Sequence, residues 1–285
     1  MNYRLLAIDL DGTLLCPEGK VSQENLGAIA NAQAAGLTVV PCTGRGWREA
    51  KYILEQVPEL GLGVFVTGAA ITDVVDGTTQ HHTAFDPQVA AELIELLKDE
   101  PQAVLAYREP NRVGHEYLVT GHGEVTPNSK WWFGFTGSLL HEQREVTPGD
   151  LHHTLRIGMV MPGSQSPRVL EVVEQNFAGR VEAHAFAAVQ SPDPDEAVHI
   201  LEVFAPGVDK WHGLSWVADQ MGIGPDQVAV IGDEINDVAM LQAAGCGIAM
   251  ENGTDAAKQH AAYVTKPNHD HGVAHAIQQI LDGAW

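Results

Sequence analysis

The sequence predicts a doubly wound, Rossmann-like α/β core with a parallel sheet, interrupted by an inserted α+β domain. Three observations support this fold class. Strand-like and helix-like segments alternate up to about residue 82, strand-like runs follow one another mostly without helices from about Thr83 to Pro206, and the alternation then returns. Alternating strands and helices are typical of a parallel sheet, whereas consecutive strands favour an antiparallel one. We therefore expect a discontinuous core domain, 1–82 with 207–285, and an inserted domain, 83–206.

The N-terminal part of the core begins with a strand. The run Tyr3–Ile8 is continuously apolar, as in a strand that is buried on both faces. Ser22 can cap a helix that runs through Ala35 and ends at Gly36. The next predicted elements are the strand LTVVPC (37–42), a helix from about Arg45 to Val57, the strand LGVFVTG (62–68) as a third parallel strand, and a hairpin with Asp76-Gly77 at its turn.

The inserted domain and the C-terminal part differ in their patterns. In the insert, an amphipathic helix opens at Asp86-Pro87, one further helix fits between Pro167 and Phe177, and the strand-like runs are AVLAY, EYLVT, RIGMVM, VEAHAFAAV and VHILEVF. The C-terminal elements alternate again: a helix from about Lys210 to Met221, the strand QVAVIG, a helix from about Asn236 to Ala244, the strand GIAM and a helix near 272–281. The pattern predicts an antiparallel sheet in the insert and more parallel strands after it.

The charge balance excludes several classes of partner. The chain has 16 Lys and Arg against 37 Asp and Glu, a formal net charge of −21. This charge opposes attraction to nucleic acid and to anionic membrane surfaces. No apolar stretch approaches the roughly 18 residues of a membrane span, and the first residues enter a strand-like run rather than a signal peptide. Three widely spaced cysteines argue against a disulfide framework or a zinc site. We expect a cytoplasmic protein without nucleic-acid or membrane partners.

Polar residues follow several predicted strands of the core. Strand one ends in Asp9-Leu10-Asp11-Gly12, strand two in Thr43-Gly44-Arg45, and a later strand in the run 232–237, GDEIND. In open α/β sheets the ligand crevice lies beyond the carboxyl ends of the parallel strands. Buried carboxylates are costly unless they are paired or bind a metal. An ordinary Asx turn would explain DLDG alone, but not the recurrence of polar residues after several strands.

These motifs resemble those of the haloacid dehalogenase superfamily, in its Cof-type subgroup with a type IIB cap. DLDGTLL resembles the first motif of the family, TGR the second, the single Lys210 ahead of a helix the third, and GDEINDVAML the fourth. The similarity continues through AGCGIAMENGTDAAKQHAAYVT and HGVAHAI. The resemblance implies that the insert is a cap that closes over the site and chooses the leaving group.

The resemblance also implies the roles of the acidic residues. Asp9 is expected to be the nucleophile that forms an aspartyl phosphate, and the Asp11 side chain to be the general acid and base. Mg²⁺, a cation that takes oxygen ligands, is expected to bind Asp9, the main-chain carbonyl of Asp11 and Asp233, with Asp237 directly behind them or bound through water.

A second set of residues is expected to hold the transferring phosphoryl group. These residues are Leu10, Thr43, Gly44, Lys210 and Asn236. Lys210 opens a helix, where the helix dipole disfavours a cation, and this position supports an anion-binding role. Asn236 can also cap the helix that follows it. Arg45 is expected to structure its loop or to reach a distal group of the substrate.

The resemblance implies a Mg²⁺-dependent phosphatase that hydrolyses small phosphomonoesters such as sugar phosphates. A sugar phosphomutase of the same superfamily and a non-catalytic phosphometabolite-binding protein remain as alternatives. Two positions depart from the family pattern: Thr67 stands where members often have Asn, and Trp211 follows Lys210 where Gly is common. The oligomeric state is not indicated by the sequence.

Overall fold

The computed structural model describes residues 2–285 and divides into two compact units. The first consists of Met1–Gln80 with Asp209–Trp285, and the second of His81–Val208. These limits differ by two residues from the boundaries that the sequence predicts. Within residues 2–285, no helix has the length and apolarity that crossing a bilayer requires.

The elements follow in chain order. The strands are β1 Leu5–Ile8, β2 Thr38–Pro41, β3 Leu62–Phe65, β4 Ala70–Asp73, β5 Thr79–His82, β6 Val104–Arg108, β7 Tyr117–Thr120, β8 Leu140–Glu142, β9 Thr154–Pro162, β10 Glu182–Val189, β11 Val198–Phe204, β12 Val228–Gly232, β13 Cys246–Met250 and β14 Tyr263–Thr265. The helices are α1 Gln23–Ala34, α2 Trp47–Leu54, α3 Pro87–Leu97, α4 Pro110–Val113, α5 Pro127–Thr136, α6 Ser166–Phe177, α7 Lys210–Gln220, α8 Val238–Ala243, α9 Asp255–His260 and α10 Gly272–Leu281.

The first unit is built on a parallel sheet in the order β14-β13-β12-β1-β2. β1 lies between β12 and β2, and both pairings are parallel. All four residues of β1 are buried, as the continuous apolar run predicts for a strand that is covered on both faces. Asp9 therefore leaves the sheet at the carboxyl end of a central strand, next to the end of β12.

The third predicted parallel strand is confirmed only in its direction, because its single bridge to the parallel sheet is parallel but its ladder belongs to a different sheet. β3 pairs antiparallel with β4 in a three-stranded sheet, β3-β4-β5, and it meets the parallel sheet only at the single bridge Cys42–Val64. The physical reason lies in the chain reversal after Phe65. Val66, Thr67 and Gly68 have φ of +51°, +53° and +94°, so the chain turns back into β4 and supplies β3 with a hairpin partner.

Helix ends in the first unit follow the capping signals of the sequence. The Ser22 side chain accepts a hydrogen bond from Asn25 N at 3.2 Å and so starts α1. Asn25 is itself buried and accepts a hydrogen bond from Ala274 N in α10. This contact joins the first and last helices of the chain in one unit.

The second unit is a six-stranded sheet in the order β10-β11-β9-β6-β7-β8. It is antiparallel as predicted, except that β7 and β8 run parallel. Its apolar core combines α3 and α6 with one face of the sheet; members include Leu93, Ile157, Val173 and Leu201. The sequence interpretation missed α4, α5 and β8 in this unit and α9 and β14 in the first unit, which are too short or too irregular in hydrophobic pattern to be predicted.

Candidate active site

The centre of the site is Lys210, the first residue of α7. Its side chain is 1% exposed, and Nζ donates to Asp9 Oδ1 at 2.7 Å and to Asp237 Oδ1 at 2.5 Å. Burial lowers the pKa of a lysine, but here the two carboxylates outweigh it and raise the pKa of Lys210 well above its usual range. Lys210 is therefore a fixed buried cation between two buried anions.

Asp237 is held by main-chain groups as well as by Lys210. Its second oxygen, Oδ2, accepts from Asp233 N at 2.8 Å and from Glu234 N at 3.0 Å. Both carboxylate oxygens of Asp237 are thus engaged by the protein, and its hydrogen bonds shape the loop that presents Asp233. This geometry favours a position behind the metal ligands for Asp237, the first of the two roles that the sequence left open.

Asp233 lies on this loop at the end of β12 and faces the loop that follows β1. Thr13 donates its hydroxyl hydrogen to Asp233 Oδ1 at 2.7 Å. Burial, reinforced by Asp237, raises the pKa of Asp233 to about 7. Burial also raises the pKa of Asp9 well above the usual carboxyl range; Lys210 opposes this shift, and Asp237 and Asp233 add to it. The positive charge around Asp9 and Asp233 is therefore too small to offset their burial and the neighbouring carboxylates.

The donor set fits a divalent cation. Within residues 2–285, Asp9, Asp233 and Asp237 are the one group of three acidic, His or Cys side chains whose ligand atoms all lie within 4.8 Å of one another. Three carboxylates against one ammonium leave two negative charges without a partner, which one divalent cation would neutralise. All the donor atoms are oxygens, the ligands that Mg²⁺ prefers. The residues present therefore fit Mg²⁺, with Asp9 and Asp233 as the carboxylates that would hold it.

The loop after β1 has an unusual backbone that brings Asp9 and Asp11 into place. Leu14 N donates to Asp9 O at 3.2 Å and Leu15 N to Leu10 O at 2.9 Å, so the turn closes over five residues. Gly12 has φ of +77°, and a Cβ there would overlap the Asp233 carboxylate. Glycine is required at this position for both reasons.

Two asparagines that the sequence interpretation did not single out brace this loop. Asn252 Nδ2 donates to Gly12 O at 2.8 Å, and Asn252 Oδ1 accepts from Asn268 N at 2.8 Å. Asn268 Nδ2 in turn donates to Leu15 O at 2.8 Å. Asn252 belongs to the MENGTD run that the family resemblance covered, and this was the available signal.

The predicted phosphate-binding residues occupy several positions around this centre. Thr43 is fully buried, and its hydroxyl oxygen accepts from Arg45 N at 3.2 Å. The Leu10 side chain is fully buried, so only its main chain can reach a ligand. Asn236 has a buried amide oxygen that finds no partner within residues 2–285. Gly44 is half-buried in the loop after β2. Their contacts to phosphate stay predictions.

Asp11 points in a different direction from Asp9. Its carboxylate accepts two hydrogen bonds from Arg45: Nε to Oδ2 at 2.7 Å and Nη2 to Oδ1 at 2.5 Å. The Asp11 side chain is 55% exposed, whereas that of Arg45 is 13% exposed. The carboxylate that the sequence assigned to proton transfer is thus paired with the arginine of the second motif.

Comparisons with known proteins show the family to which the chain belongs. A family model described as haloacid dehalogenase-like hydrolase matches residues 6–277. The chain therefore belongs to that family, and its Cof-type, subclass IIB members include the related phosphatases described next. Phosphatase YwpJ of Bacillus subtilis is 29% identical over 300 residues, covering 98% of this chain and 100% of the relative. The B. subtilis 5-amino-6-(5-phospho-D-ribitylamino)uracil phosphatase YitU is 28% identical, covering 97% of each chain.

Solved structures show the same fold. A haloacid dehalogenase-like hydrolase from B. subtilis superposes with a TM-score of 0.76 at 26% identity, covering 97% of this chain and 99% of the other. The subclass IIB sugar phosphatase BT4131 gives a TM-score of 0.73 at 19% identity, covering 97% and 98%. At that identity the second likeness shows the fold alone. The chain is an enzyme of the phosphatase class within this superfamily.

Proposed function

We propose that the protein is a Mg²⁺-dependent phosphatase that hydrolyses small phosphomonoesters through an aspartyl phosphate on Asp9. One observation carries the proposal: Asp9, Asp233 and Asp237 converge around the buried Lys210 with two negative charges left over. When bound, Mg²⁺ would offset the repulsion between the carboxylates and a phosphate dianion. The alternative of a non-catalytic binding protein does not require a nucleophile at this position.

The proposed reaction has two halves, in which Asp9 is the nucleophile and Asp11 transfers the protons. In the first half, an Asp9 oxygen attacks phosphorus, the ester bond breaks, and the leaving oxygen takes a proton from Asp11. In the second half, water attacks the phosphorus of the aspartyl phosphate, Asp11 takes its proton, and Asp9 is released with inorganic phosphate. Lys210, Thr43 and the Gly44 N–H stabilise the negative charge on the transferring oxygens.

The substrate is a small phosphorylated metabolite. We propose sugar phosphates and related esters as the substrate class, because BT4131 is a sugar phosphatase and YitU acts on a phosphorylated ribityl compound. The acidic chain disfavours nucleic acid as a partner.

Three free cysteines fit a reducing compartment, and we propose a cytoplasmic location. We also propose that residues 83–206 serve as the cap.

The test is phosphate release from a panel of sugar phosphates, 5-amino-6-(5-phospho-D-ribitylamino)uracil and an aryl phosphate. Each compound is assayed with Mg²⁺ or with EDTA, using the native chain and Asp9→Asn. The proposal expects release that requires both Mg²⁺ and Asp9. Isomerisation of a sugar 1-phosphate without release would instead establish a mutase, and binding without turnover would establish a binding protein.

A further inference from the structure

The proposed reaction assigns no role to the pairing of Asp11 with Arg45. The two groups form a bidentate ion pair, with distances of 2.7 and 2.5 Å. Such a fork fixes the orientation of a carboxylate, since both oxygens are held in one plane. A largely exposed aspartate on a loop would otherwise exchange among several rotamers.

Hydrogen bonds to residues of α2 also fix the guanidinium of Arg45. Its Nη1 donates to the Glu49 main-chain oxygen at 3.3 Å and to the Tyr52 hydroxyl oxygen at 3.0 Å. Both partners belong to α2, and the buried Glu49 carboxylate accepts from Gly46 N at 2.7 Å and so fixes the start of that helix. Arg45 therefore links α2 to the exposed carboxylate of Asp11 in the loop after β1.

We propose that Arg45 is a positioning residue that orients the Asp11 carboxyl group for proton transfer and affects the reaction only through Asp11. This inference rests on the proposed phosphatase function. It replaces the expectation that Arg45 reaches a distal group of the substrate, because Asp11, Glu49 and Tyr52 together accept four hydrogen bonds from the Arg45 guanidinium. Each Asp11 oxygen accepts one hydrogen bond from Arg45 and keeps a second lone pair, at which it can take or give a proton while the fork stays in place.

Substrates with different leaving groups distinguish the positioning of Asp11 by Arg45 from a merely structural role of Arg45. An alkyl phosphate needs a proton from Asp11 when its ester bond breaks, since an alkoxide is a poor leaving group. A nitrophenyl phosphate releases a stable phenolate without that proton, although the later attack of water still needs Asp11 as the base. Loss of Asp11 orientation therefore slows both steps for alkyl esters and only the second step for the aryl ester.

The experiment compares Arg45→Ala, Asp11→Asn and the double variant with the native chain. For an alkyl phosphate, we expect Arg45→Ala to lower kcat about ten- to a hundredfold with KM within about threefold, since misplaced catalytic groups cost up to about a hundredfold. For nitrophenyl phosphate, we expect a retained burst of phenolate followed by slow turnover. In the Asp11→Asn background, Arg45→Ala should change kcat by less than about twofold.

Further variants control for folding. Lys51→Ala alters an exposed residue of α2 that pairs with Glu55, and it should behave as the native chain. Circular dichroism and the melting temperature check each variant. If Arg45→Ala does not fold, Arg45→Lys and Tyr52→Phe replace it; both weaken the fork or its anchor and should show the same leaving-group pattern with smaller losses.

The outcomes separate this inference from the proposed function. No Mg²⁺-dependent release by the native chain would overturn both. The positioning role alone would be overturned if the native chain releases phosphate and the fold-loss of kcat in the double variant equals the product of the losses in Arg45→Ala and Asp11→Asn. A rise in KM of more than tenfold at unchanged kcat would also overturn it, in favour of direct contact between Arg45 and the substrate.

Discussion

Replacing Lys210 by methionine tests whether the charge balance at the site is as the structure shows it. Methionine keeps an unbranched apolar stem of similar length and removes the ammonium. Asp9 and Asp237 would then be left buried without their cation. Because the side chain is only 1% exposed, water cannot replace the lost hydrogen bonds without opening the site.

The magnitude follows from the two contacts that are lost. Each hydrogen bond to a charged group contributes about 1.5–3 kcal/mol, and removing one partner of a buried ion pair costs about 3–5 kcal/mol. We expect Lys210→Met to lower the free energy of unfolding in EDTA by about 3–5 kcal/mol. For a chain of this size that corresponds to a fall in melting temperature of roughly 5–8 °C. Mg²⁺ should restore part of this loss, because it offsets two of the three negative charges.

The assay is urea and thermal unfolding of the native chain and the variant, each in EDTA and in Mg²⁺. Lys51→Met is the matched control, since that exposed lysine pairs with Glu55 on the surface, where an ion pair contributes at most about 0.5 kcal/mol. Adding Asp237→Asn to Lys210→Met removes one unpaired charge and should recover part of the stability. A melting temperature for Lys210→Met in EDTA within about 2 °C of the native value would refute the reasoning.

Three further predictions follow from the structure. Burial raises the pKa of Asp233 to about 7, so between about pH 4 and pH 7 the metal-free folded chain binds a proton that the unfolded chain has released. Its free energy of unfolding therefore falls as the pH rises through this range, by up to about 1.4 kcal/mol per pH unit. Melting curves at pH 5 to 8 should show that Mg²⁺ stabilises the folded chain more at higher pH, and equal stabilisation throughout would contradict this. Thr67 is a β-branched residue with φ of +53°, a conformation that asparagine adopts more easily. Thr67→Asn should therefore raise the free energy of unfolding, measured by urea titration, by about 1 kcal/mol. A decrease would mean that the contacts of the threonine outweigh its backbone strain. Burial would raise the pKa of Glu202, but Arg156, at 2.5 Å, and His184 hold it below the usual range. The stability from this pair is present above that range and lost on acidification, so Glu202→Gln should be about 3–5 kcal/mol less stable at pH 7. The variant should lose less further stability at pH 3 than the native chain, and a parallel acid response of both proteins would argue against this.

The residues of the candidate site could be predicted because they follow local patterns and resemble the motifs of a known family. Asp9 and Asp11 follow a continuously apolar run, and Asp233 and Asp237 follow another, so the rule that parallel strands end at one edge of the sheet brought them together. Lys210 was predicted from its place before a helix. The structure confirms that Asp9, Asp233, Asp237 and Lys210 form one cluster.

Features that depend on the exact path of the chain could not be predicted in this way. β3 has the composition of a buried parallel strand, yet the reversal at Val66–Gly68 gives it an antiparallel partner. The helix α5 was missed because its aromatic residues do not follow a helical period. Asn252 and Asn268 could not be distinguished from ordinary turn residues, since their partners lie far away in sequence.

The sequence by itself predicted the fold class and the insertion of one domain into the other, because these depend on hydrophobic period. It predicted the acidic residues and the lysine of the candidate site because their motifs resemble those of a known family. Only the tertiary structure decided that Lys210 joins Asp9 to Asp237, that Arg45 pairs with Asp11, and that Asn252 and Asn268 hold the loop after β1. Each of these contacts joins segments distant in sequence, and hydrogen-bond geometry between such segments is fixed only when the whole chain is packed.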